Sequence, residues 1–394
     1  MPILIGTVQL ACQISNSLYL DYNATSPLSD SVIKWLRKGE IVWGNPSSTH
    51  TPGRKAKSEI LAVKAYLLNL FGLVETHNLF FHSGATEGIN TIILGTLRKR
   101  FENDGRWPTF YASPTDHSAV IELGRSLKDS PFSLLKVDGH GMISVDVAKE
   151  LKEGSVLNFT WVNNETGLVY PLDEASKLKE KKNLFIHVDA VQAPGKIKDF
   201  QKLDPRLDAY TFSGHKIGSL KGIGFTLIKK DLPFVPLTYG GGQQGGMRSG
   251  TENVQGIVSL KLAMEDLVKN FSFEKVKENK LFFESELKSN FGEKITIVGE
   301  ASPFRNCNTV TFTNSFASSD ILMAALDIEG IYVAKGSACS SNISRPSPAL
   351  NALGLSNLDA SRGLRVSFSP YLKRGEVESV IERMIPIMKK FSHS

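Results

Sequence analysis

Long apolar runs and basic leader segments are missing from this 394-residue chain. No stretch reaches the roughly 18 consecutive apolar residues that a membrane-spanning helix needs. Residues 1 to 11 are apolar, but no basic residue precedes them as in a secretory signal, and the arginines of a mitochondrial presequence are absent. We therefore expect a short strand or hairpin at this end, no membrane contact and a cytoplasmic location.

Cysteine is scarce, and charge of one sign is not gathered into a tract. The three cysteines, Cys12, Cys307 and Cys339, have neither metal-ligand spacing nor the even number of a disulfide framework. This pattern predicts a reducing compartment and no metal site. The 46 basic and 40 acidic residues are dispersed along the chain, so direct binding of nucleic acid is not expected.

Short β-rich runs alternate with helical patterns from about residue 78 to 230, which predicts an α/β sheet covered on both faces. Several runs are too uniformly apolar to have a solvent-facing side, as is typical of central parallel strands. The predicted strands are 79–81, 109–112, 134–137, 156–162, 184–188, 209–212 and 224–228.

The pattern changes after a predicted helix at about 253–269, where helices and strands no longer alternate regularly. We expect a large α/β domain over residues 27–269 and a smaller α+β domain built from 1–26 and 270–394. No internal repeat or low-complexity segment is evident.

Lys216 and Asp189 each follow an apolar, strand-like run, so both side chains are expected at strand ends where a site can open. Pyridoxal phosphate (PLP) needs a lysine amine for a Schiff base and a carboxylate that holds its ring nitrogen protonated. A surface lysine is the alternative, but the run Ser213 to Lys216 is more specific than a lone lysine. The pair therefore predicts a PLP site.

A phosphate site is predicted where the run Ser83 to Glu87 turns from strand to helix. Backbone N–H groups at Ala85 and Thr86, together with the helix dipole, suit an anion. Ser213 and His215 lie close to the cofactor lysine and would add donors. The alternative is that Thr86 only caps the helix.

Two further runs after strands supply polar groups to the predicted site. His117 begins a helix, from which its imidazole could lie over the cofactor ring and move protons; a purely capping histidine is the alternative. Asn164 could orient cofactor or substrate, whereas Asn163 fits turn chemistry.

Cys339 and Arg365 complete the set of candidate residues. Cys339 lies among small polar residues, unlike a buried structural cysteine, and is a candidate nucleophile. Cys12 and Cys307 are expected to be structural. Arg365 sits on a short apolar strand, where its planar fork suits a substrate carboxylate; a structural salt bridge is the alternative.

These motifs resemble cysteine desulfurases of the NifS/IscS type, in the class V aminotransferase group of fold-type I PLP enzymes. The resemblance spans nearly the whole chain. It is carried by 19–25, 44–48, 83–87, His117, 162–165, 187–189, 213–216, 246–251, 336–339 and Arg365.

The resemblance implies a role for each matching residue around the cofactor. Lys216 would form the Schiff base, Asp189 would pair with the ring nitrogen, Gln192 would contact the ring hydroxyl and His117 would stack on the ring. The residues implied to hold the phosphate are Thr86, Ser213, His215 and, from the neighbouring subunit of a homodimer, Thr251.

On the substrate side, the resemblance implies that Arg365, helped by Asn45 and Asn164, holds the carboxylate of L-cysteine. Lys216 would remove the α-proton, and Cys339 would accept the sulfur as a persulfide and release alanine. The persulfide would pass to an iron–sulfur scaffold or a tRNA-thiolation protein.

Three other functions are compatible with parts of this pattern. A class V aminotransferase would not need Cys339, whereas a selenocysteine lyase could use the same residues. A catalytically idle docking subunit of a sulfur-transfer assembly is the alternative outside enzymes. Lys335, the run 219–221 and the run 369–372 depart from the usual family pattern without removing a catalytic group.

Overall fold

The computed structural model describes residues 17–143, 149–335 and 346–392. Cys12, Cys339 and the strand or hairpin expected within residues 1–11 lie outside these ranges. Within the described parts of the chain, no helix has the length and apolar character needed to cross a bilayer.

The described strands form a seven-stranded sheet, a four-stranded sheet and a two-stranded pair. The strands are β1 (Leu18–Tyr19), β2 (His77–His82), β3 (Phe110–Ala112), β4 (Phe132–Leu134), β5 (Val156–Thr160), β6 (Phe185–Asp189), β7 (Ala209–Ser213), β8 (Gly224–Lys229), β9 (Ile295–Ile297), β10 (Thr309–Asn314), β11 (Ile331–Tyr332), β12 (Ala334–Lys335) and β13 (Gly363–Ser367). The helices are α1 (Asp30–Lys38), α2 (Thr51–Leu70), α3 (Ala85–Asp104), α4 (Ser118–Ser126), α5 (Leu172–Lys182), α6 (Val254–Asn270), α7 (Phe273–Phe291), α8 (Ser319–Ile328), α9 (Pro348–Ala352), α10 (Asn357–Ser361) and α11 (Arg374–Ser392).

The seven-stranded sheet has the order β2-β8-β7-β6-β5-β3-β4 and is mainly parallel, which confirms the predicted α/β fold. Only β8 runs antiparallel to its neighbours, β2 and β7. Every residue of β5, β6 and β7 is buried, because helices cover both faces of the sheet. The ends of these strands are therefore the places where polar side chains can reach a cavity.

The four-stranded sheet is antiparallel, in the order β12-β13-β10-β9, and packs with α7, α8 and α11. It has its own apolar cluster, in which Leu20 from the N-terminal part of the chain takes part. Leu350 and Leu353, although late in the chain, join the cluster of the large sheet. The domain limits at residues 26 and 269 stay a prediction.

Most strands lie within one or two residues of their predicted positions, but one prediction is wrong. The strand expected at 134–137 is observed at 132–134, while Val137 forms only an isolated bridge with Ile143. β4 is an edge strand, and both Ser133 and Leu134 are exposed. Since neither face of β4 is fully buried, its apolar pattern is too weak to place the strand.

Candidate active site

A cavity of about 560 Å³ opens where β5, β6 and β7 end. Thr160, Asp189 and Ser213 are the last residues of these strands, and all three line the cavity. The carboxyl ends of parallel strands are the usual place for a ligand site in an α/β sheet. Further lining comes from the start of α3, from the segment around Asn23, from loops that follow the strands and from β13 of the small sheet.

Lys216 ends a short 3-10 turn that directly follows β7. Its Nζ donates to the carbonyl oxygens of Asn23 at 2.6 Å and Ala24 at 2.7 Å. The Ser26 hydroxyl donates to the Lys216 carbonyl at 2.8 Å, which fixes the turn against the same segment. The amine therefore lies in the cavity, held by backbone acceptors.

Asp189 ends β6, next to the strand that precedes Lys216, and is buried. Its Oδ1 accepts a hydrogen bond from the Val191 N–H at 3.1 Å. Burial raises the pKa of this carboxyl, while the charges of His117 and Lys216 act in the opposite direction. A cation bound beside Asp189 would favour the ionised form, so the site fits a protonated ring nitrogen.

Donors for an anion lie together at one end of the cavity, around the N-terminus of α3. The cap residue of this helix is Gly84, which has no side chain to satisfy the first N–H groups. Ala85, Thr86, Ser213 and His215 line the cavity here, as the sequence predicts. These uncapped N–H groups and hydroxyls fit a phosphate.

His215 contributes to this end as a neutral group. Burial lowers the pKa of its imidazole to about 4, and the charges of Lys216 and Lys221 lower it further. Its Nδ1 lies 3.1 Å from the Thr25 hydroxyl. At neutral pH the ring can therefore donate one hydrogen bond without adding a charge.

His117 has the predicted capping role and also lies at the cavity, where its role toward a cofactor stays a prediction. The residue caps α4, and its Nδ1 accepts from the Ala119 N–H at 3.1 Å. The imidazole also lines the cavity. Because Nδ1 is an acceptor in this cap, Nε2 carries the proton of a neutral ring.

The two asparagines after β5 differ as the sequence predicts. Asn163 Oδ1 accepts from the N–H groups of Glu165 and Thr166, both at 2.9 Å, so this side chain builds the turn. Asn164 lines the cavity instead.

Arg365 lies on β13 of the four-stranded sheet, and it lines the cavity. The residue is 1% exposed. Its Nη2 donates to Asp21 Oδ1 at 2.6 Å and its Nη1 to the Asn164 carbonyl at 2.9 Å, so the predicted alternative of a salt bridge is also realised. Among the described residues, its buried Nε has no hydrogen-bond partner. An unsatisfied guanidinium N–H at a cavity fits a carboxylate ligand.

Of the predicted site residues that the structure describes, two do not line the cavity of their own chain. Asn45 and Thr251 are both exposed. Asn45 Oδ1 accepts from the Ser47 N–H at 2.9 Å. Thr251 is the residue for which the resemblance implies a role in a neighbouring subunit.

Cys307 is fully buried, and burial raises the pKa of its thiol to about 12. A thiol that stays protonated is a poor nucleophile, which agrees with the structural role expected for it.

Asn23, which lines the cavity, and Lys196, which contacts the cavity residue Gln192, are two residues for which the sequence predicts no role. The Asn23 carbonyl accepts from Lys216 and, at 2.9 Å, from Gln192, while its amide donates to the Asn164 carbonyl at 3.0 Å. Lys196 donates to the amide oxygen of Gln192. A matching motif at residues 19–25 points to the Asn23 segment, but nothing local marks Lys196.

The chain matches the aminotransferase class-V family over residues 18–380 and belongs to this family of PLP-dependent enzymes. It is 32% identical over 381 residues to a cysteine desulfurase of Trichormus azollae, with 95% of this chain and 93% of that protein covered. A NifS-like protein of known structure superimposes with a TM-score of 0.83 at 29% identity, covering 95% and 100% of the two chains. A structure described as SspA in complex with cysteine gives a TM-score of 0.76 at 25% identity, covering 91% and 100%.

Proposed function

We propose that the protein is a PLP-dependent cysteine desulfurase that converts L-cysteine into L-alanine and leaves the sulfur on Cys339. The observation that carries the proposal is the meeting of Lys216, Asp189 and Arg365 in one cavity. These residues provide an amine, a buried carboxylate and a guanidinium whose Nε–H has no partner in the described part of the chain. The relatives described as cysteine desulfurases support the same activity.

Each chemical group required by PLP has a counterpart in the cavity. Lys216 would hold it covalently, Asp189 would face its ring nitrogen, and the donors around α3 would hold its phosphate. The chemistry that PLP supplies is an electron sink for charge developing at the substrate α-carbon. Gln192 and His117 line the same cavity and would contact the ring.

The amino-acid substrate would bind through its carboxylate to Arg365. This guanidinium is already oriented by Asp21 and the Asn164 carbonyl. Little side-chain entropy is therefore lost when the carboxylate binds. Lys216 Nζ would take the α-proton of L-cysteine, and His117 would adjust the protonation of the substrate thiol.

The sulfur step needs one thiolate, which we assign to Cys339. Its attack on the substrate sulfur forms an S–S bond and breaks the C–S bond; the carbon fragment takes up a proton and leaves as alanine. The sum is L-cysteine plus enzyme thiol giving L-alanine plus enzyme persulfide, without any added oxidant.

The test is mass spectrometry of the PLP-loaded protein after brief exposure to L-cysteine without reductant. One added sulfur on the peptide that contains Cys339, together with equimolar alanine, is the expected result. A Cys339→Ser variant should retain the cofactor absorbance and form no persulfide. If that variant, supplied with a 2-oxo acid as amino acceptor, converts its amino-acid substrate at the full rate into the corresponding 2-oxo acid, the result would instead indicate transamination.

A homodimer and a protein acceptor complete the proposal. Asn45 and Thr251 are exposed, and Trp43 and Tyr239, which lie near them in sequence, are 78% and 71% exposed. Large exposed aromatic side chains are enriched at subunit interfaces. Light scattering should give twice the monomer mass, and a Thr251→Ala protein should bind PLP more weakly.

After the reaction, the persulfide would pass from Cys339 to an iron–sulfur scaffold or a tRNA-thiolation protein. The cytoplasmic location stays a prediction.

A further inference from the structure

Lys196 is a buried lysine without a buried counter-ion. The residue is 2% exposed, and no carboxylate of the described residues lies within 4 Å of its Nζ. Burial lowers the pKa of the amine, and the charges of Lys216 and Arg365 lower it further. Because burying an unpaired cation is costly, a lysine in this position requires an explanation beyond packing.

In the described chain, the one hydrogen bond of the Lys196 amine goes to Oε1 of Gln192. The other end of the same amide, Nε2, donates to the Asn23 carbonyl at 2.9 Å. The Asn23 carbonyl can only accept, so it requires the nitrogen of the amide to face it, and the amide oxygen then faces Lys196. Lys196 and Asn23 together therefore fix the orientation of the Gln192 side-chain amide.

Gln192 is buried and lines the cavity. With Oε1 facing Lys196 and one N–H facing Asn23, the amide has one N–H left for a ligand. A donor in this position suits the ring oxygen of PLP. The hydrogen bond that Oε1 accepts from Lys196 polarises the amide, so that the remaining N–H donates more strongly.

We propose that Lys196 is a positioning residue: it holds the Gln192 amide so that the amide presents a donor, not an acceptor, to the ring oxygen of the cofactor. The inference rests on the proposed PLP-dependent function and adds a residue to it. Lys196 acts through Gln192 and lines no part of the cavity itself.

Lys280 provides a matched control. It is also 2% exposed, and it donates to the Asn306 carbonyl at 2.9 Å. Its Nζ lies 3.8 Å from Glu284, and the residue is not part of the cavity lining. Replacing either lysine by methionine removes one buried amine of the same size, but only the change at Lys196 removes a hydrogen-bond partner of the Gln192 amide.

The experiment compares Lys196→Met, Lys280→Met and wild type in PLP titrations of the apo-protein, in the pH dependence of the bound cofactor's absorbance, and in thermal unfolding without PLP. Lys196→Met should raise the PLP dissociation constant by about fivefold to tenfold, the effect of weakening one hydrogen bond. It should also shift the midpoint of the absorbance titration. Lys280→Met should leave the dissociation constant within twofold and the midpoint unchanged, whatever its unfolding temperature.

Equal effects of the two methionine variants on PLP affinity would overturn the inference and make Lys196 a packing residue. A Gln192→Leu variant keeps the test decisive if Lys196→Met does not fold: unchanged affinity and spectrum in Gln192→Leu would also overturn it. The double variant should be no weaker than Gln192→Leu alone. If wild type itself binds no PLP, the proposed function fails, which is a distinct result.

Discussion

The two sheets contribute to the cavity in different ways. The seven-stranded sheet supplies several residues from successive strand ends, among them Asp189, Ser213 and Lys216, all on β6, β7 or the turn after β7. The four-stranded sheet supplies Arg365 from the middle of β13. These three proposed cofactor-binding groups thus belong to the seven-stranded sheet, while the proposed carboxylate anchor belongs to the four-stranded sheet. Substitutions should therefore separate loss of cofactor binding from loss of substrate binding.

The largest effect is expected from Lys216→Ala. Without this amine, the protein loses both the covalent attachment of PLP and the base for the α-proton, so alanine formation should fall by at least about 10³-fold. The absorbance band of the lysine-bound cofactor should disappear. Alanine assays and spectra of the gel-filtered protein measure both outcomes. Turnover within tenfold of wild type would contradict the assignment of Lys216 to the cofactor.

Arg365→Met should affect the other half of the site. A charge-assisted hydrogen-bonded pair with a carboxylate contributes about 1.5–3 kcal/mol, so the KM for L-cysteine should rise by roughly 10-fold to 100-fold. The cofactor absorbance should stay, in contrast to Lys216→Ala. Steady-state kinetics with PLP spectra recorded on the same samples test this.

Removing Arg365 also leaves Asp21 without its buried partner, which should destabilise the fold. Asp21→Asn is the control for this loss: the Asp21→Asn/Arg365→Met protein should recover stability but not substrate affinity. If it recovers both, Arg365 has a structural role alone.

The sequence predicts the cofactor side of the site better than the connections behind it. Lys216 and Asp189 are recognisable because each follows a buried strand, and strand ends meet at one edge of a parallel sheet. Gln192 and Asn23 are 169 residues apart, and their hydrogen bond exists only after both sheets have packed. The link from Lys196 to Gln192 is close in sequence, but a local pattern does not reveal that the lysine is buried. The role proposed for Thr251 depends on a second copy of the chain, so the packing of one chain alone does not reveal it.

A smaller effect is expected at the proposed phosphate end of the cavity, where the Glu87 carboxylate accepts from Arg248 Nε and from the Ser83 N–H, both at 2.8 Å. Burial alone would raise the pKa of Glu87, but these hydrogen bonds lower it to about 2. A depressed carboxyl pKa stabilises the fold above the unfolded value near 4.5, and this contribution is lost as the pH falls from about 4.5 to about 2.

Glu87→Gln should therefore be about 1–2 kcal/mol less stable than wild type at pH 7, a value reduced for partial exposure, and the difference should vanish near pH 2. It should also weaken PLP binding, because the Arg248 contact lies beside the N-terminus of α3.

Asp204→Asn is the matched control. Hydrogen bonds from Arg206 and Ser176 outweigh burial and lower the pKa of Asp204 to about 2, but this residue lies outside the cavity lining. The measurements are chemical unfolding between pH 2 and 7 and PLP titrations of both variants. A parallel loss of PLP affinity in Asp204→Asn would contradict the link between Glu87 and the proposed phosphate end.

The smallest effect on activity is expected from Cys307→Ala, which tests the region between the two sheets. The Cys307 N–H donates to the Lys196 carbonyl at 2.8 Å, so backbone contacts hold this residue and its side chain only fills space. Its buried thiol, with a pKa raised to about 12, is not available as a nucleophile. We expect activity within twofold of wild type and a loss of roughly 1–2 kcal/mol in the free energy of unfolding, from the small cavity that the substitution leaves. Persulfide analysis should still find the added sulfur on the Cys339 peptide. The Cys307 backbone is hydrogen-bonded to Lys196, and the Lys196 amine contacts Gln192. A loss of PLP affinity in Cys307→Ala would therefore show that the thiol does more than fill space. It would also show that the two halves of the site are coupled through the region between the sheets.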